Sequence, residues 1–139
     1  YRSCLCLDDG DWDGYLDLCA PDFNYQVVNY SPELRKDMVW MEQDRGGMAA
    51  LFGNLANHIT RPGRFLRHAS VALIEADGAT ARVTSTFVIA YTELDGISSL
   101  FAVGRYNDVV ETAGVRPLLR SRQVRLDTRD LKGGSHFPI

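Results

Sequence analysis

The 139-residue chain lacks the features that mark membrane, secreted and nucleic-acid-binding proteins. No apolar run approaches the roughly 18 residues that a membrane helix needs. No basic-then-apolar leader with a small-residue cleavage site is present, so the sequence predicts no signal peptide. The net charge is −3 and the pI is about 5.5, whereas a nucleic-acid-binding domain should carry a basic stripe.

Cysteine and histidine are scarce, with three residues of each. The odd number of cysteines (Cys4, Cys6 and Cys19) makes a poor disulfide framework, so we expect a reducing, cytoplasmic setting. The sequence shows no zinc-site spacing, no two-histidine iron site and no cysteine–histidine pattern for a Rieske cluster. It also has no glycine-rich phosphate loop and no nucleophile elbow. We therefore expect no metal and no cofactor in this chain.

The composition that remains is that of an ordinary globular protein, with 45% hydrophobic and 24% charged residues. The length predicts one domain over residues 1–139. The chain begins at Tyr1, not at Met, inside a predicted helix, so we expect this N-terminal helix to be incomplete.

Charge is unevenly distributed along the chain. Residues 1–63 hold ten acids and five bases, a net of −5, and residues 64–139 hold eight acids and ten bases, a net of +2. Six arginines lie between Arg105 and Arg129. This asymmetry indicates a contact surface or a network of internal ion pairs.

The first third of the chain predicts two helices separated by a strand. Asp9 or Asp11 can cap a helix that runs to Cys19, with Pro21 ending it. Residues 22–30 are rich in aromatic and β-branched types and predict a strand. Asp44 is a suitable cap for a second helix whose apolar stripe is Met48, Leu51, Phe52 and Leu55.

The remainder predicts four long antiparallel strands: 64–76, 80–92, 97–112 and 115–129. Asp77-Gly78, Asp95-Gly96 and Ala113-Gly114 supply the turns between them. Helices followed by a meander predict an α+β fold, with the N-terminal helices packed on the concave face of a curved antiparallel sheet. Such a sheet forms a cone with a pocket at its mouth.

One candidate for chemistry is His68 on the first meander strand. It is a potential general base inside the cone, with Asp22 and Tyr25 or Tyr91 nearby. The competing interpretation is that His68 is a hydrogen-bonded structural residue, and we favour this structural interpretation over the general base.

The last strand places Arg120 and Arg122 among aliphatic residues on one of its faces. A buried arginine must be paired, and Asp108 on the neighbouring strand is a candidate partner. A sheet face that carries arginine, glutamine and aspartate also suits a subunit contact. Trp40, in a segment without clear periodicity, belongs either to an interface or to the core.

Several stretches together resemble a known family. Leu7–Tyr25, which reads LDDGDWDGYLDLCAPDFNY, resembles the start of the β (small) subunits of Rieske non-haem iron oxygenases. Arg67-His68, the run VGRYND at 103–108 and the run RQVRLDTR at 122–129 are similar to the same family in order and spacing. The chain departs from the family at Val115-Arg116-Pro117, where a tryptophan is usual.

This resemblance implies a cone-shaped α+β fold related to nuclear transport factor and ketosteroid isomerase. It also implies a mainly structural β subunit in an α3β3 hexamer, with other β subunits and a catalytic α subunit as partners. The Rieske [2Fe–2S] cluster and the mononuclear iron would belong to the α subunit. The complex would be a mono- or dioxygenase acting on a small aromatic or other organic substrate, with sulfonates among the candidates.

We therefore predict no catalytic residue in this chain. The alternative is a free-standing dehydratase or isomerase that uses His68, Asp22 and Tyr25. The predicted subunit-interface residues are Arg105, Tyr106, Asp108, Arg122, Arg125, Asp127, Arg129 and Trp40.

Overall fold

The computed structural model describes residues 2–55, 62–131 and 138–139. Within these ranges the chain forms three helices and six strands. The helices are α1 (Arg2–Asp9), α2 (Trp12–Asp17) and α3 (Arg45–Leu55). The strands are β1 (Cys19–Ser31), β2 (Lys36–Asp44), β3 (Arg64–Asp77), β4 (Thr80–Thr92), β5 (Ser98–Glu111) and β6 (Leu118–Leu126).

All six strands join in a single sheet with the order β2-β1-β6-β5-β4-β3. The predicted meander is confirmed, since β3 to β6 pair in sequence and antiparallel. Strands β1 and β6 pair in parallel, so the sheet is mixed. The sequence analysis had predicted a purely antiparallel sheet. The hairpin turns predicted at Gly78 and Gly96 are confirmed, with φ of 59° and 85° at these glycines.

The predicted first helix ends earlier than expected. Asp11 caps α2 by accepting a hydrogen bond from the Gly14 N–H at 2.9 Å, but the helix stops at Asp17. Pro21 lies inside β1 and does not end a helix. Its missing N–H is tolerated because the pairing of β1 with β6 is interrupted between Cys19 and Asn24.

The segment without clear periodicity is strand β2, which holds a β-bulge. Val27 pairs with Met41 and Val28 with Val39, so Trp40 is the extra residue of the bulge. A bulge shifts the alternation of the side chains by one residue. The sequence of β2 therefore does not alternate regularly between apolar and polar residues, and no strand was predicted there. Trp40 is 44% exposed, on a strand at the edge of the sheet.

The helices cover one face of the sheet, which we call the inner face. α1 packs against β3 and α3 against β1. Asp44 caps α3 through the Gly47 N–H at 2.7 Å, as predicted, and Met48 and Phe52 are buried. The ring of Phe52 stacks on that of Trp12 with centroids 4.9 Å apart, which joins α2 to α3.

The register of the strands assigns each residue to the inner or the outer face. On β4, Phe87 and Ile89 are buried on the inner face, whereas Thr86 and Val88 between them are exposed on the outer face. Directly opposed residues of paired strands share a face, so this assignment extends across the sheet. On β3 it places Arg67, opposite Ile89, on the inner face and His68, opposite Val88, on the outer face.

Candidate functional sites

The inner face carries a buried ion pair between Arg122 of β6 and Asp108 of β5. The two residues are directly opposite in the ladder. Arg122 donates from Nε to Asp108 Oδ1 at 2.9 Å and from Nη2 to Oδ2 at 2.7 Å, a bidentate pair. Its Nη1 donates to Ser3 Oγ of α1 at 3.1 Å. The pair therefore joins two strands and the first helix inside the core.

Burial and pairing act in opposite directions on the Arg122 guanidinium. Burial lowers the pKa of Arg122, but the charge and hydrogen bonds of Asp108 outweigh it and raise this pKa well above its ordinary value. The guanidinium also lies over the ring of Tyr106, 4.3 Å from its centroid. Arg122 is therefore a permanently charged, fully engaged group, and it is not a proton donor for chemistry.

A second buried pair joins Arg67 of β3 to Asp8 of α1. The Arg67 Nη1 donates to Asp8 Oδ1, and the backbone N–H of Arg67 donates to Asp8 Oδ2 at 2.8 Å. Arg67 Nη2 donates to the carbonyl of Pro138 at 2.6 Å. One guanidinium thus fixes α1 and residues 138–139 to the sheet.

Residues 138–139 lie inside the fold, where they contact Tyr25 of β1. The Ile139 N–H donates to Tyr25 Oη at 2.9 Å, and Tyr25 Oη donates to the Ile139 carbonyl at 3.2 Å. Burial raises the pKa of Tyr25 to about 12, so the phenol stays protonated and able to donate. Pro138 and Ile139 are buried and occupy part of the cone's interior.

A cavity of about 230 Å³ lies between the start of α1 and the inner faces of β3–β6, and we call it the α1 cavity. Its polar wall contains Tyr106, Asp108, Arg122 and Ser85. Its apolar wall includes valines of β3, β4 and β5.

The structure does not assemble His68, Asp22 and Tyr25 into a site. His68 is exposed on the outer face, so its predicted position inside the cone is wrong. Asp22 is exposed and accepts a hydrogen bond from Arg120 Nη2 at 2.6 Å, which lowers the pKa of Asp22. Tyr25 is buried and bound to Ile139. A shared pocket for these three side chains, which a catalytic role requires, is not formed.

The sequence analysis placed His68 on the inner face of β3 because apolar residues occur on both faces of this strand. Phe65 and Arg67 occupy the inner face: Phe65 packs on Phe101 with ring centroids 4.9 Å apart, and Arg67 pairs with Asp8. An irregularity between Val71 and Leu73 then exchanges the two faces. The sequence pattern therefore has no constant period along β3.

Three of the eight predicted interface residues lie in the core. Tyr106, Asp108 and Arg122 are 1%, 7% and 5% exposed, so in this structure they contact other parts of the same chain. The expected pairing of Arg122 with Asp108 is confirmed. The prediction that these three residues contact another subunit directly is therefore corrected, because their side chains are buried within this chain.

The other five predicted interface residues reach the surface. Arg125 makes a bidentate pair with Asp37 of β2 at 2.8 and 2.9 Å, and Arg129 pairs with Glu33 at 2.8 Å. Arg105 is exposed on the outer face opposite Arg125. Asp127 follows β6 and is exposed, and Trp40 is half-exposed on β2.

A row of amides crosses the outer face beside these charges. Gln123 donates to Gln26 Oε1 at 3.0 Å, and Asn107 Nδ2 donates to Gln123 Oε1 at 3.4 Å. These bonds join β1, β6 and β5 side by side. The middle of the outer face is therefore polar and ordered by its own hydrogen bonds.

Sequence reasoning missed Asp8, Arg67 and Ser3 as structural groups. Asp8 lies in α1 beside other acidic residues, and nothing in its spacing distinguishes it from a solvated carboxylate. The signal that could have found Arg67 is its alternation with Phe65 and Ala69, which share its face.

The described part of the chain contains neither a cluster of metal ligands nor a membrane-spanning helix. Residues 2–55, 62–131 and 138–139 contain no group of three histidine, cysteine, aspartate or glutamate side chains that could hold a metal ion. No helix among these residues is long and apolar enough to cross a membrane. His58 and His136 lie outside the described residues.

The chain is similar in sequence to oxygenase subunits over its full length. It is 36% identical over 149 aligned positions to the methanesulfonate monooxygenase hydroxylase subunit beta of Methylosulfonomonas methylovora, covering 100% of this chain and 82% of that protein. It is 35% identical over 142 positions to the 2-aminobenzenesulfonate 2,3-dioxygenase subunit beta of Alcaligenes sp., covering 100% of this chain and 93% of that protein.

The fold is also shared with solved oxygenase structures. The benzoate 1,2-dioxygenase β subunit of Burkholderia mallei superposes with a TM-score of 0.75 at 18% identity, covering 99% of this chain and 91% of that one. The family model of the SnoaL-like domain matches residues 1–115. With its α+β cone fold and its full-length similarity, the chain belongs to the SnoaL-like family and, within it, to the β subunits of ring-hydroxylating and sulfonate oxygenases.

Proposed function

We propose that this chain is the structural β subunit of a multicomponent Rieske oxygenase and that it supports a catalytic α subunit. The observation that carries the proposal is the similarity over 100% of the chain to two oxygenase β subunits. Oxygenase membership is favoured over a free-standing dehydratase or isomerase, and the separation of His68, Asp22 and Tyr25 agrees with that preference.

The interior of the chain is suited to a supporting role. Arg122 with Asp108, and Arg67 with Asp8, tie α1 to three strands through bonds that are inaccessible to solvent. Removing one partner of such a pair leaves an uncompensated buried charge, so the pairs favour one arrangement of helix and sheet. This fixed arrangement holds the outer face in a constant shape for a partner.

The redox groups of the complex belong to the α subunit in this proposal. The Rieske [2Fe–2S] cluster needs cysteine and histidine ligands, and the mononuclear iron needs histidines and a carboxylate. The described residues of this chain offer no such cluster of ligands. The residues that bind substrate and iron would then also lie in the α subunit.

We propose an organic sulfonate as the substrate class of the complex. Both curated relatives carry a sulfonate in their names, one aliphatic and one aromatic. An α3β3 hexamer in the cytoplasm is the proposed assembly. Within it, the surface residues Arg105, Arg125, Asp127, Arg129 and Trp40 are the proposed contacts with α or with neighbouring β subunits.

Co-expression tests the proposal. This chain, tagged, is produced together with an oxygenase α subunit from the same organism, and the purified complex is measured by native mass spectrometry and iron analysis. The expected result is a complex with equal numbers of the two chains, whose iron is retained by α and absent from separately purified β. Iron or oxygenase activity in the isolated β chain, or failure of the two chains to associate, would overturn it.

A further inference from the structure

Pro138 and Ile139 are held through three consecutive backbone groups. Arg67 Nη2 donates to the Pro138 carbonyl at 2.6 Å, the Ile139 N–H donates to Tyr25 Oη at 2.9 Å, and Tyr25 Oη donates to the Ile139 carbonyl at 3.2 Å. These groups are the acyl oxygen, the amide N–H and the carbonyl oxygen of a single acylated amino acid. Two side chains therefore bind the backbone of residue 139 together with its acyl group.

The side chain of Ile139 adds an apolar contact to the same arrangement. Ile139 is 1% exposed and belongs to the buried hydrophobic core of the cone. Burial of an aliphatic side chain of this size contributes about ten- to a hundredfold to an association constant. The arrangement therefore has the two parts of a ligand site, namely directed polar contacts and an apolar compartment.

The two polar side chains come from strands that are not neighbours. Tyr25 lies on β1 and Arg67 on β3, with β6, β5 and β4 between these strands in the sheet. Arg67 is fixed independently of residues 138–139, because Asp8 accepts hydrogen bonds from its Nη1 and from its backbone N–H. Arg67 Nη2 is consequently preorganised to donate into the interior of the cone.

The site favours an occupied state. Withdrawal of residues 138–139 would take the Ile139 carbonyl from Tyr25 Oη and the Pro138 carbonyl from Arg67 Nη2, deep in the core. Buried donors that lose their acceptors are unfavourable. Another molecule that carries the same groups in the same order can supply these acceptors.

A second cavity connects this site with the surface, and we call it the Pro138 cavity. Its volume is about 290 Å³, and both Pro138 and Arg67 line it. Asp9 and Arg64, which are exposed, also line it. Since Pro138 forms one of its walls, withdrawal of residues 138–139 joins the space that they vacate to this cavity. A ligand can then reach Arg67 Nη2 from solvent.

We propose that Tyr25 and Arg67 form a binding site for an N-acylated aliphatic amino acid and that the chain fills this site with its own Ile139. Pro138 supplies the acyl group, and Ile139 supplies the amide N–H, the carbonyl and the apolar side chain. In the intact chain the bound segment keeps free ligands of this class out of the cone. This site goes beyond the supporting role proposed above and does not depend on the presence of an α subunit.

A variant that lacks residues 138 and 139 tests the site against the unchanged chain. The probe is N-acetyl-L-isoleucine amide, which carries the acyl oxygen, N–H, carbonyl and side chain in the same order. Binding is followed by the amide NMR shifts of Tyr25 and Arg67. We expect saturable shifts in the shortened variant. In the unchanged chain we expect binding at least about tenfold weaker, or none, because the attached segment competes for the site.

Three analogues of the probe separate its contacts. N-acetylglycine amide lacks the side chain and should bind about ten- to a hundredfold more weakly. The probe methylated at the isoleucine nitrogen lacks the N–H and should bind about two- to tenfold more weakly. N-acetyl-D-isoleucine amide should also bind more weakly, because its side chain and its carbonyl cannot both take the positions of those of Ile139.

Substitutions in the shortened variant identify the contacts on the protein side. Tyr25→Phe removes both the acceptor of the N–H and the donor to the carbonyl, and should weaken binding of the probe by about tenfold. The matched control is Tyr30→Phe, which changes an exposed tyrosine in the same strand and should have no effect on binding.

A second test keeps the full chain and does not require the shortened variant to fold. Ile139→Ala empties part of the apolar compartment and should lower the melting temperature by several degrees. N-acetyl-L-isoleucine amide should raise this melting temperature as its concentration increases, whereas N-acetylglycine amide should not.

Two results would overturn the proposal. Equal affinity of the probe for the shortened and the unchanged chain would place the probe at another site. If the probe neither shifts the amides of the shortened variant nor raises the melting temperature of Ile139→Ala, then Tyr25 and Arg67 hold residues 138–139 only as a part of the fold.

Discussion

Arg122 on β6 and Asp108 on β5 face each other across the ladder and share two hydrogen bonds of 2.9 and 2.7 Å inside the core. Arg122→Met should lower the free energy of unfolding by about 3–5 kcal/mol, because it leaves the Asp108 carboxylate buried without a counter-charge. The double change Arg122→Met with Asp108→Leu should recover most of this loss, because a packed apolar pair replaces the two charges. Urea unfolding of the single and double variants measures both quantities.

The matched control for this pair is on the same strand. Arg120→Met removes an arginine that pairs with Asp22 in solvent, so we expect little change in stability. If Arg120→Met destabilised the chain as much as Arg122→Met, the assignment of Arg122 as a core group would be refuted.

Tyr25 provides a second test of the interior. Tyr25→Phe removes the acceptor of the Ile139 N–H and the donor to its carbonyl, and should lower the free energy of unfolding by about 1–3 kcal/mol. Tyr106→Phe removes a hydroxyl that has no partner within the described residues, so the same chemical change there should be neutral or stabilising in the free chain. Thermal unfolding of both variants makes the comparison, and an equal loss in both would contradict it.

The sequence predicted the strands of the meander because their signals are local. Asp77-Gly78 and Asp95-Gly96 specify turns, and the alternation through Phe87 and Ile89 specifies one face. The cap at Asp44 was predicted for the same reason, since a cap depends on residues within one helical turn.

The sequence-based predictions that were wrong concern residues whose positions depend on contacts between distant parts of the chain. Pro21 fits a strand only because the partner strand, about 100 residues away, is irregular there. Arg67 is buried because Asp8 and Pro138 approach it from the two ends of the chain. Sequence spacing carries no information about such contacts. His68 was placed on the wrong face because apolar residues occur on both faces of β3 and the strand is irregular between Val71 and Leu73.

The interface prediction failed in part for a related reason. The run 103–108 alternates between faces, so Arg105 is exposed while Tyr106 and Asp108 are buried. The prediction assigned all three residues to one interface and did not take this alternation into account. The exposed members remain candidates for subunit contact, and the buried ones stabilise the scaffold.

Glu33 makes the stability of the β1–β2 end depend on pH. The hydrogen bond from Arg129 lowers the pKa of Glu33 from 4.5 to about 2. In the unfolded chain this carboxyl takes up a proton near pH 4.5, so between these values the unfolded state binds more protons than the folded state. The stabilising contribution is therefore complete above about pH 4.5 and is lost as the pH falls towards 2.

An NMR titration of the Glu33 carboxyl carbon checks this sign. In Arg129→Gln the pKa of Glu33 should move up towards 4.5, and in the control Arg105→Gln it should stay low. A Glu33 that titrates near 4.5 in the unchanged chain would show that the pair with Arg129 does not persist in solution.

Substitutions at the exposed residues Arg105 and Trp40 test whether the outer face and the edge strand contact another subunit. Arg105→Glu reverses a charge on the outer face, and Trp40→Ala removes an exposed aromatic from the edge strand β2. If these residues contact a neighbouring subunit, each change should lower the yield of complex in co-expression while leaving the melting temperature of the free chain nearly unchanged. This follows because neither side chain forms a bond that holds the described fold together, whereas aromatic and arginine side chains contribute strongly to interfaces.

The control for Trp40→Ala is Leu94→Ala, which removes another exposed apolar side chain, in the β4–β5 loop. Full yield of complex in both test variants would remove this face and edge from the proposed contact.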